Sequence, residues 1–403
     1  MVKLGAQLAK EALEHTAYII KECGPRKAGE DACKKSARML EEDYGKVADK
    51  AWKEEFAFHP DAFISFLKIV SVLYAIAAGF LMLRWAIPGF LIMLLALVIT
   101  FSQFIMYYKW FDPFFKKGKG YNVIGSIEPE GEVKQQIIIS GHHDSANEFV
   151  IIDKFPKLYA PMSALLAATI IIVFILSAVA AFGPESILNV VRFIALGGLI
   201  LTIPAFFYVS NKVVPGASDN LISSSVVYKI GEVFGIAKKQ GNNLLKHTRL
   251  LLVSFDAEES GLRGAYAYTR LHRKELTDLK TYCFNMDTLL DPENMQFFYN
   301  DINGTVKLSK GMVNDCVMIT KELGYKGKPG GLPLGGGATD AGEFSRIGVE
   351  ATNLICMSTK GFNENSVYHT MNDTVDKINP KAVEMGADIA YNYILLKDGQ
   401  LSK

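Results

Sequence analysis

The sequence predicts an α/β domain on a mixed, mostly parallel sheet that also carries four transmembrane helices in two hairpins. Two observations carry that expectation. Short apolar runs bounded by polar loops alternate with helical patterns, and four much longer apolar stretches interrupt them. Composition agrees: half of the 403 residues are hydrophobic and only 21% are charged, and the mean hydropathy of +0.17 is high for a wholly soluble chain. The formal net charge of +1, with no basic block, excludes a nucleic-acid-binding tail, so no nucleic-acid partner is expected.

The long stretches run from Phe63 to Leu83, Ala86 to Tyr108, Ala160 to Phe182 and Ile187 to Tyr208. Each has about the twenty residues that a helix needs to cross roughly 30 Å of hydrocarbon. Arg84-Trp85 separates the first pair and Gly183-Pro184-Glu185-Ser186 the second, so both read as helical hairpins. None shows the polar stripe of a helix half-buried in a soluble core. Trp85, Tyr107, Tyr108 and Trp110 stand where an interfacial aromatic belt belongs.

Two hairpins cross an even number of times, which leaves everything else on one side. Lys109, Lys116, Lys117, Lys119, Lys154, Lys157 and Lys212 flank that side, against Arg84 and Arg192 on the other. This bias predicts a multi-pass protein with a cytoplasmic catalytic domain. The segments are then 1–61 (helical), 62–108 (first hairpin), 109–157, 158–209 (second hairpin) and 210–403. The cysteines Cys23, Cys33, Cys283, Cys316 and Cys356 have no metal-type spacing and are expected to be reduced core residues.

Strands are expected at Asn122 to Ile127, Gln136 to Ser140, Arg249 to Phe255, Thr281 to Met286, Met295 to Tyr299 and Ala351 to Met357. Several are continuously apolar, as strands buried on both faces are. Helices are expected at Leu221 to Gln240, Leu262 to Leu276, Lys307 to Leu323 and Pro380 to Leu396.

Polar residues cluster where these strands end. Ile137-Ile138-Ile139-Ser140-Gly141 leads into His142-His143-Asp144, and residues i and i+2 of an extended chain point the same way. His142 and Asp144 can therefore act together, the imidazole on a metal and the carboxylate on its other nitrogen. Asp219 precedes a helix and by itself fits an N-cap. A second strand ends in Asp256-Ala257-Glu258-Glu259, where mutual repulsion calls for a cation. A third ends in Asp287. Tyr368-His369 with Asp373 lies in a polar loop before the last helix.

Taken together and in this order, the set resembles the M28 family of dinuclear zinc aminopeptidases, over nearly all of the non-membrane chain from Gly24-Pro25-Arg26 onward. The resemblance implies a three-layer α/β/α zinc-peptidase domain binding two Zn²⁺. His142 and Asp287 would complete one metal site, Glu259 and His369 the other, with Asp219 bridging both. Glu258 would be the general base and Asp144 would orient His142. Gly335-Gly336-Gly337-Ala338-Thr339-Asp340 resembles the family's Gly-rich loop beside the cleft. His143 stands where the family often has an aromatic residue and is assigned no ligand role. His15, His59, His247 and His272 match no motif and are expected at the surface.

The implied activity is metal-dependent removal of N-terminal residues from peptides, with peptides and the lipid bilayer as partners. Oligomeric state is left open, including a homo-oligomer through the membrane helices. Alternatives are a non-catalytic membrane scaffold, a glutaminyl cyclase and a carboxypeptidase with Arg263 or Arg346 as its carboxylate clamp. The family's cyclases use one zinc and usually lack the first histidine, so His142 argues against that reading. The second hairpin lies between His142 and Asp219, so it must leave and re-enter the domain at neighbouring points.

Overall fold

In a computed structural model, which describes residues 1–358 and 361–401, a mixed eight-stranded sheet has helices on both faces. Its strands are β1 (Lys50–Phe58), β2 (Gly118–Ile127), β3 (Gln135–His142), β4 (Thr248–Phe255), β5 (Lys280–Leu289), β6 (Met295–Phe298), β7 (Lys328–Gly330) and β8 (Glu350–Cys356), in the order β1-β2-β4-β3-β5-β8-β6-β7. The central β4, β3, β5 and β8 are mutually parallel, while β1, β2 and β6 introduce antiparallel pairs.

Alternation within β3 shows why a fully apolar run is needed. Ile137 and Ile139 pack under the helices Ala6–Cys23, Ile222–Lys239 and Pro380–Leu401, whereas Ile138 faces the layer containing Arg263–Leu271 and Ala341–Arg346. All three isoleucines are completely buried. At about 1.5–3 kcal/mol per large apolar side chain, such strands set the register of the whole sheet.

Two elements differ from the expected pattern. The first sixty residues are not all helical: after Ala6–Cys23 and Asp31–Val47 comes β1, whose charged Lys-Ala-Trp-Lys-Glu-Glu sequence suits a sheet edge that discourages further pairing. The helix expected from Leu262 to Leu276 breaks at His272 into Arg263–Leu271 and Arg273–Asp278.

The apolar stretches form the helices Phe66–Met82, Ala86–Ile99 (continuing as a π-helix to Ile105), Pro156–Phe182 and Glu185–Ala205. The second, third and fourth are long and apolar enough to cross a membrane by length and composition; Phe66–Met82 is shorter, at 17 residues. They share one apolar cluster that includes Tyr74, Met93, Ile170 and Val191. Their outer surfaces expose large apolar side chains such as Leu91, Ile172, Phe193 and Ile200, and contiguous exposed apolar surface marks a site of interaction with a partner or a membrane. Arg84 and Glu185 pair at 2.5 Å where the two hairpin tips meet.

Both insertions enter and leave on paired strands. The first opens between β1 and β2, where Phe58 lies opposite Gly118. The second opens between Asn147–Phe149 and Val209–Val213, which pair antiparallel. Its ends are therefore neighbours, as ligands on either side of it require.

The returning end of the first hairpin is docked by a buried ion pair. Arg263 donates from Nε to Asp112 Oδ2 at 2.7 Å and from Nη2 to Oδ1 at 3.0 Å, and its Nη1 donates to the carbonyls of Tyr107 and Gly261. Replacing Arg263 with Ala strands a buried carboxylate, so stability should fall by about 3–5 kcal/mol. Chemical denaturation of the purified chain measures this, and an unchanged midpoint would show that the pair does not hold the hairpin.

Candidate metal centre

The residues expected to act sit at the carboxyl ends of the central parallel strands, the edge where open α/β sheets place their ligands. His142 ends β3, Glu258 and Glu259 follow β4, and Asp287 lies near the end of β5. Asp219 lies in a distorted turn just before the helix Ile222–Lys239. That helix comes hard against β3 because Gly141 has no side chain: a Cβ there would meet Ser223 Cβ at 2.6 Å. The close approach brings Asp219 to His142 across the second insertion.

Two donor sets result. His142, Asp219 and Asp287 offer ligand atoms within 4.8 Å of one another, and so do Asp219, Glu259 and His369. Asp219 belongs to both, one oxygen toward each: Oδ1 is 3.3 Å from His142 Nε2 and Oδ2 is 3.1 Å from His369 Nε2. His369 Nε2 is also 3.2 Å from Glu259 Oε1. Glu258 Oε2 stands 3.8 Å from His142 Nε2.

These close approaches do not amount to a satisfied hydrogen-bond network. Among the described residues, His142 Nε2, Asp219 Oδ2 and Glu259 Oε1 are buried without a hydrogen-bond partner. Buried polar atoms are normally paired, so the donor chemistry and the orphaned atoms both fit divalent cations.

Supporting residues fix this geometry. Asp144 lies 3.2 Å from His142 Nδ1, and its carboxylate accepts from the main-chain N–H of Glu258 and of Glu259, each at 3.1 Å. One side chain therefore flanks the far nitrogen of the histidine, an atom itself without a hydrogen-bond partner among the described residues, and fixes the main chain of both glutamates. Asp373 does the same for Asp219, accepting from the Ser218 and Asp219 amides at 2.8 and 3.1 Å and from Ser218 Oγ at 2.6 Å. The ring of His369 stacks on Tyr368 at 3.9 Å and meets the edge of Phe149 at 4.7 Å. Ala257 and His369 hold left-handed backbone at φ 59° and 53°, conformations that non-glycine residues adopt at some energetic cost.

Asp340, in the glycine-rich loop, is wholly buried, and neither of its carboxylate oxygens has a hydrogen-bond partner among the described residues. Its neighbour Thr339 is held by Asp301, which accepts from Thr339 N at 2.9 Å and from Thr339 Oγ1 at 2.5 Å. Sequence reasoning assigned Asp301 and Asp373 no role. Asp373 stands only four residues after His369, which was a usable signal; Asp301, in a polar turn far from any motif, gave none.

Electrostatics reflect the crowding. Burial, reinforced by Asp219, pushes the Asp287 carboxyl up to about 7. Burial also holds Glu258 well above its ordinary value; His142 opposes this, and Glu259, Asp287 and Asp340 add to it. Burial would lower His369, but Glu259 and Asp219 outweigh it and lift the imidazole to about 10. The cluster carries more negative charge than its protein surroundings offset, and bound cations are what would relieve it.

The two arginines considered as carboxylate clamps are already committed. Arg263 is consumed by Asp112 and main-chain carbonyls, and Arg346 pairs with Glu343 and donates to the Met106 carbonyl. The four histidines expected at the surface are all partly buried, and His15 and His272 pair with Asp43 and Glu54, each at 2.9 Å.

Comparison with known proteins places this geometry. Residues 203–394 match Peptidase family M28, a span that contains Asp219, Glu258, Glu259, Asp287 and His369. No curated protein matches the chain. Among solved structures, a Zn-dependent exopeptidase from Parabacteroides distasonis superposes with a TM-score of 0.57 at 14% identity, covering 96% of this chain and 97% of that one. A zinc aminopeptidase from Bacillus subtilis gives 0.56 at 15% identity, covering 96% and 95%. A glutaminyl cyclase from Fimbriiglobus ruber gives 0.57 at 12% identity, also covering 96% and 95%. The chain thus shares its fold with these solved structures, and its residues 203–394 are similar to Peptidase family M28.

Proposed function

We propose that this protein is a membrane-bound, zinc-dependent aminopeptidase holding two zinc ions, one between His142, Asp219 and Asp287 and the other between Asp219, Glu259 and His369. The observation that carries the reading is the shared Asp219, with one oxygen toward each donor set and a further carboxylate, Glu258, beside them. Zinc at these positions supplies Lewis-acid polarisation of the scissile carbonyl and lowers the pKa of a bound water.

The protein's own residues do the rest. Glu258 is the general base: it takes the proton of the attacking water and passes it to the leaving amine. Asp144 keeps it in place through its main-chain N–H while holding the His142 ring, so base and ligand are positioned by one group. Asp373 keeps Asp219 turned toward both donor sets.

Charge supports cleavage at the amino terminus. Asp340 is an unpaired buried carboxyl in the field of His142, Asp144 and Asp287, so the cleft favours a substrate ammonium. The two arginines considered as clamps for carboxyl-terminal cleavage, Arg263 and Arg346, are both occupied. His142 within the first donor set favours hydrolysis over glutaminyl cyclisation, which in this family runs on a single zinc.

The four apolar helices are proposed to lie in the bilayer, with the catalytic domain on the cytoplasmic side. Both insertion stems open on the edge of the sheet that bears the metal centre: Ser260 donates to the Pro60 carbonyl at 3.3 Å, and Phe149 N donates to the His369 carbonyl at 2.8 Å. The cleft then faces the membrane surface.

Substituting Glu258 with Gln should lower kcat by about 10²–10⁴ while metal analysis still finds zinc; near-normal turnover would remove the base assignment. Peptides with a free N-terminus should be cleaved and their N-acetylated counterparts left intact, and chelation should stop both zinc retention and hydrolysis; release of C-terminal residues instead would overturn the aminopeptidase reading. In sealed inverted vesicles, external protease should degrade the catalytic domain but spare the helices, and full protection would reverse the orientation.

A further inference from the structure

Behind the metal centre lies a second cluster of ligand-type side chains. Cys33, His143 and Asp256 are completely buried, and their ligand atoms lie within 4.8 Å of one another. They come from three parts of the chain: the first turn of the helix Asp31–Val47, the residue after His142, and the residue after β4. Cys33 Sγ donates to Asp256 Oδ1 at 3.2 Å, and Asp256 Oδ2 accepts from Tyr121 N at 2.8 Å.

A chain of hydroxyls fixes the state of the histidine. Ser224 Oγ donates to the His142 carbonyl at 3.1 Å, which uses its one proton. Ser254 Oγ, 2.7 Å from Ser224 Oγ, must therefore donate to it. Ser254 then accepts from His143 Nδ1, at 2.9 Å. His143 is thereby the Nδ1–H tautomer with a bare lone pair on Nε2, the form in which imidazole binds a metal. Among the described residues that buried Nε2 has no hydrogen-bond partner, a situation that ordinarily carries an energetic cost.

We infer that Cys33, His143 and Asp256 form a third metal site, separate from the dinuclear pair, that takes one zinc-class divalent cation through a thiolate, an imidazole and a carboxylate. Donor atoms around zinc bonded at about 2.0–2.3 Å lie roughly 3.5 Å apart, which the spacing of this trio accommodates. A sulfur donor selects zinc-like ions over magnesium or calcium. On binding, the Cys33 S–H bond breaks, its proton leaves to solvent, and the sulfur lone pair forms the metal bond. Thiolate and carboxylate together cancel the ion's charge. Cancellation matters here because Arg26, also fully buried, donates only to main-chain carbonyls, among them that of His143 at 2.7 Å. The ion would tie the N-terminal helices to the backbone on either side of the cleft, next to His142 and two residues before Glu258.

Cobalt substitution of the full-length, detergent-purified chain tests this. Among the described residues, the trio is the only metal-type cluster that contains a cysteine, so a sulfur-to-cobalt charge-transfer band in the near ultraviolet reports on it alone. Wild-type protein should show that band and about three equivalents of zinc or cobalt per chain. Cys33→Ser should lose the band and one equivalent while keeping peptide hydrolysis. Asp256→Asn should keep the sulfur band with weakened retention of the third ion. Wild-type protein with no sulfur band, or with about two equivalents in both wild type and Cys33→Ser, would overturn the inference. Loss of hydrolysis alone, with the band present, would count against the aminopeptidase reading and support the third site.

Discussion

Concentrated negative charge in a buried place is the constraint around which the rest of this molecule is arranged. Asp144, Asp219, Glu258, Glu259, Asp287 and Asp340 converge at the carboxyl edge of the sheet, largely out of contact with water. Such a cluster is stable only if cations bind to it or protons stay on it. The direction of the Glu258 and Asp287 shifts indicates protons in the cation-free state. The supporting shell reflects the same constraint: Asp144 and Asp373 use main-chain N–H groups to aim carboxylates that would otherwise repel one another apart.

The apolar hairpins are integrated with that edge and do not simply hang from it. Residues 104–112, where the first hairpin returns, are gripped by Arg263 next to the glutamate pair, by Asn303 in the turn after Asp301, and by Arg346 beyond the glycine-rich loop. Tyr107 packs with Leu262, Ile302 and Phe63, so an aromatic ring from the insertion helps wall the cleft. On the other side Phe149, Tyr159, Phe362 and Tyr368 form a run of ring contacts that ends on His369.

Much of this was legible in the sequence because strong patterns have few solutions. Unbroken apolar runs such as Ile137–Ile139 fix the central strands, and abrupt changes to His, Asp and Glu at their ends mark the carboxyl edge. What escaped had weak local signals. β1 is charged and takes its structure from pairing with β2, a tertiary effect. Asp301 acts through a turn that carries no periodicity. Cys33 and His143 are 110 positions apart in sequence numbering, so spacing rules for metal ligands had nothing to detect, and only the packing of the helix Asp31–Val47 against β2 and its neighbours brings them together. Arg263 looked like a free cation in sequence because Asp112 and Tyr107 lie 151 and 156 positions earlier, where the first hairpin returns, and Arg346 because only the fold turns Glu343 and the Met106 carbonyl onto it.

The stems of the two insertions have a further consequence. Phe58 already faces Gly118, and Asn147–Phe149 already pairs with Val209–Val213, so the sheet's register does not depend on what is strung between those points. Such junctions behave as sockets. A chain of this design can swap, lengthen or shed its apolar modules without disturbing the order in which the residues of its metal-type cluster are wired, and the evolution of the insertions is thereby uncoupled from the evolution of the site.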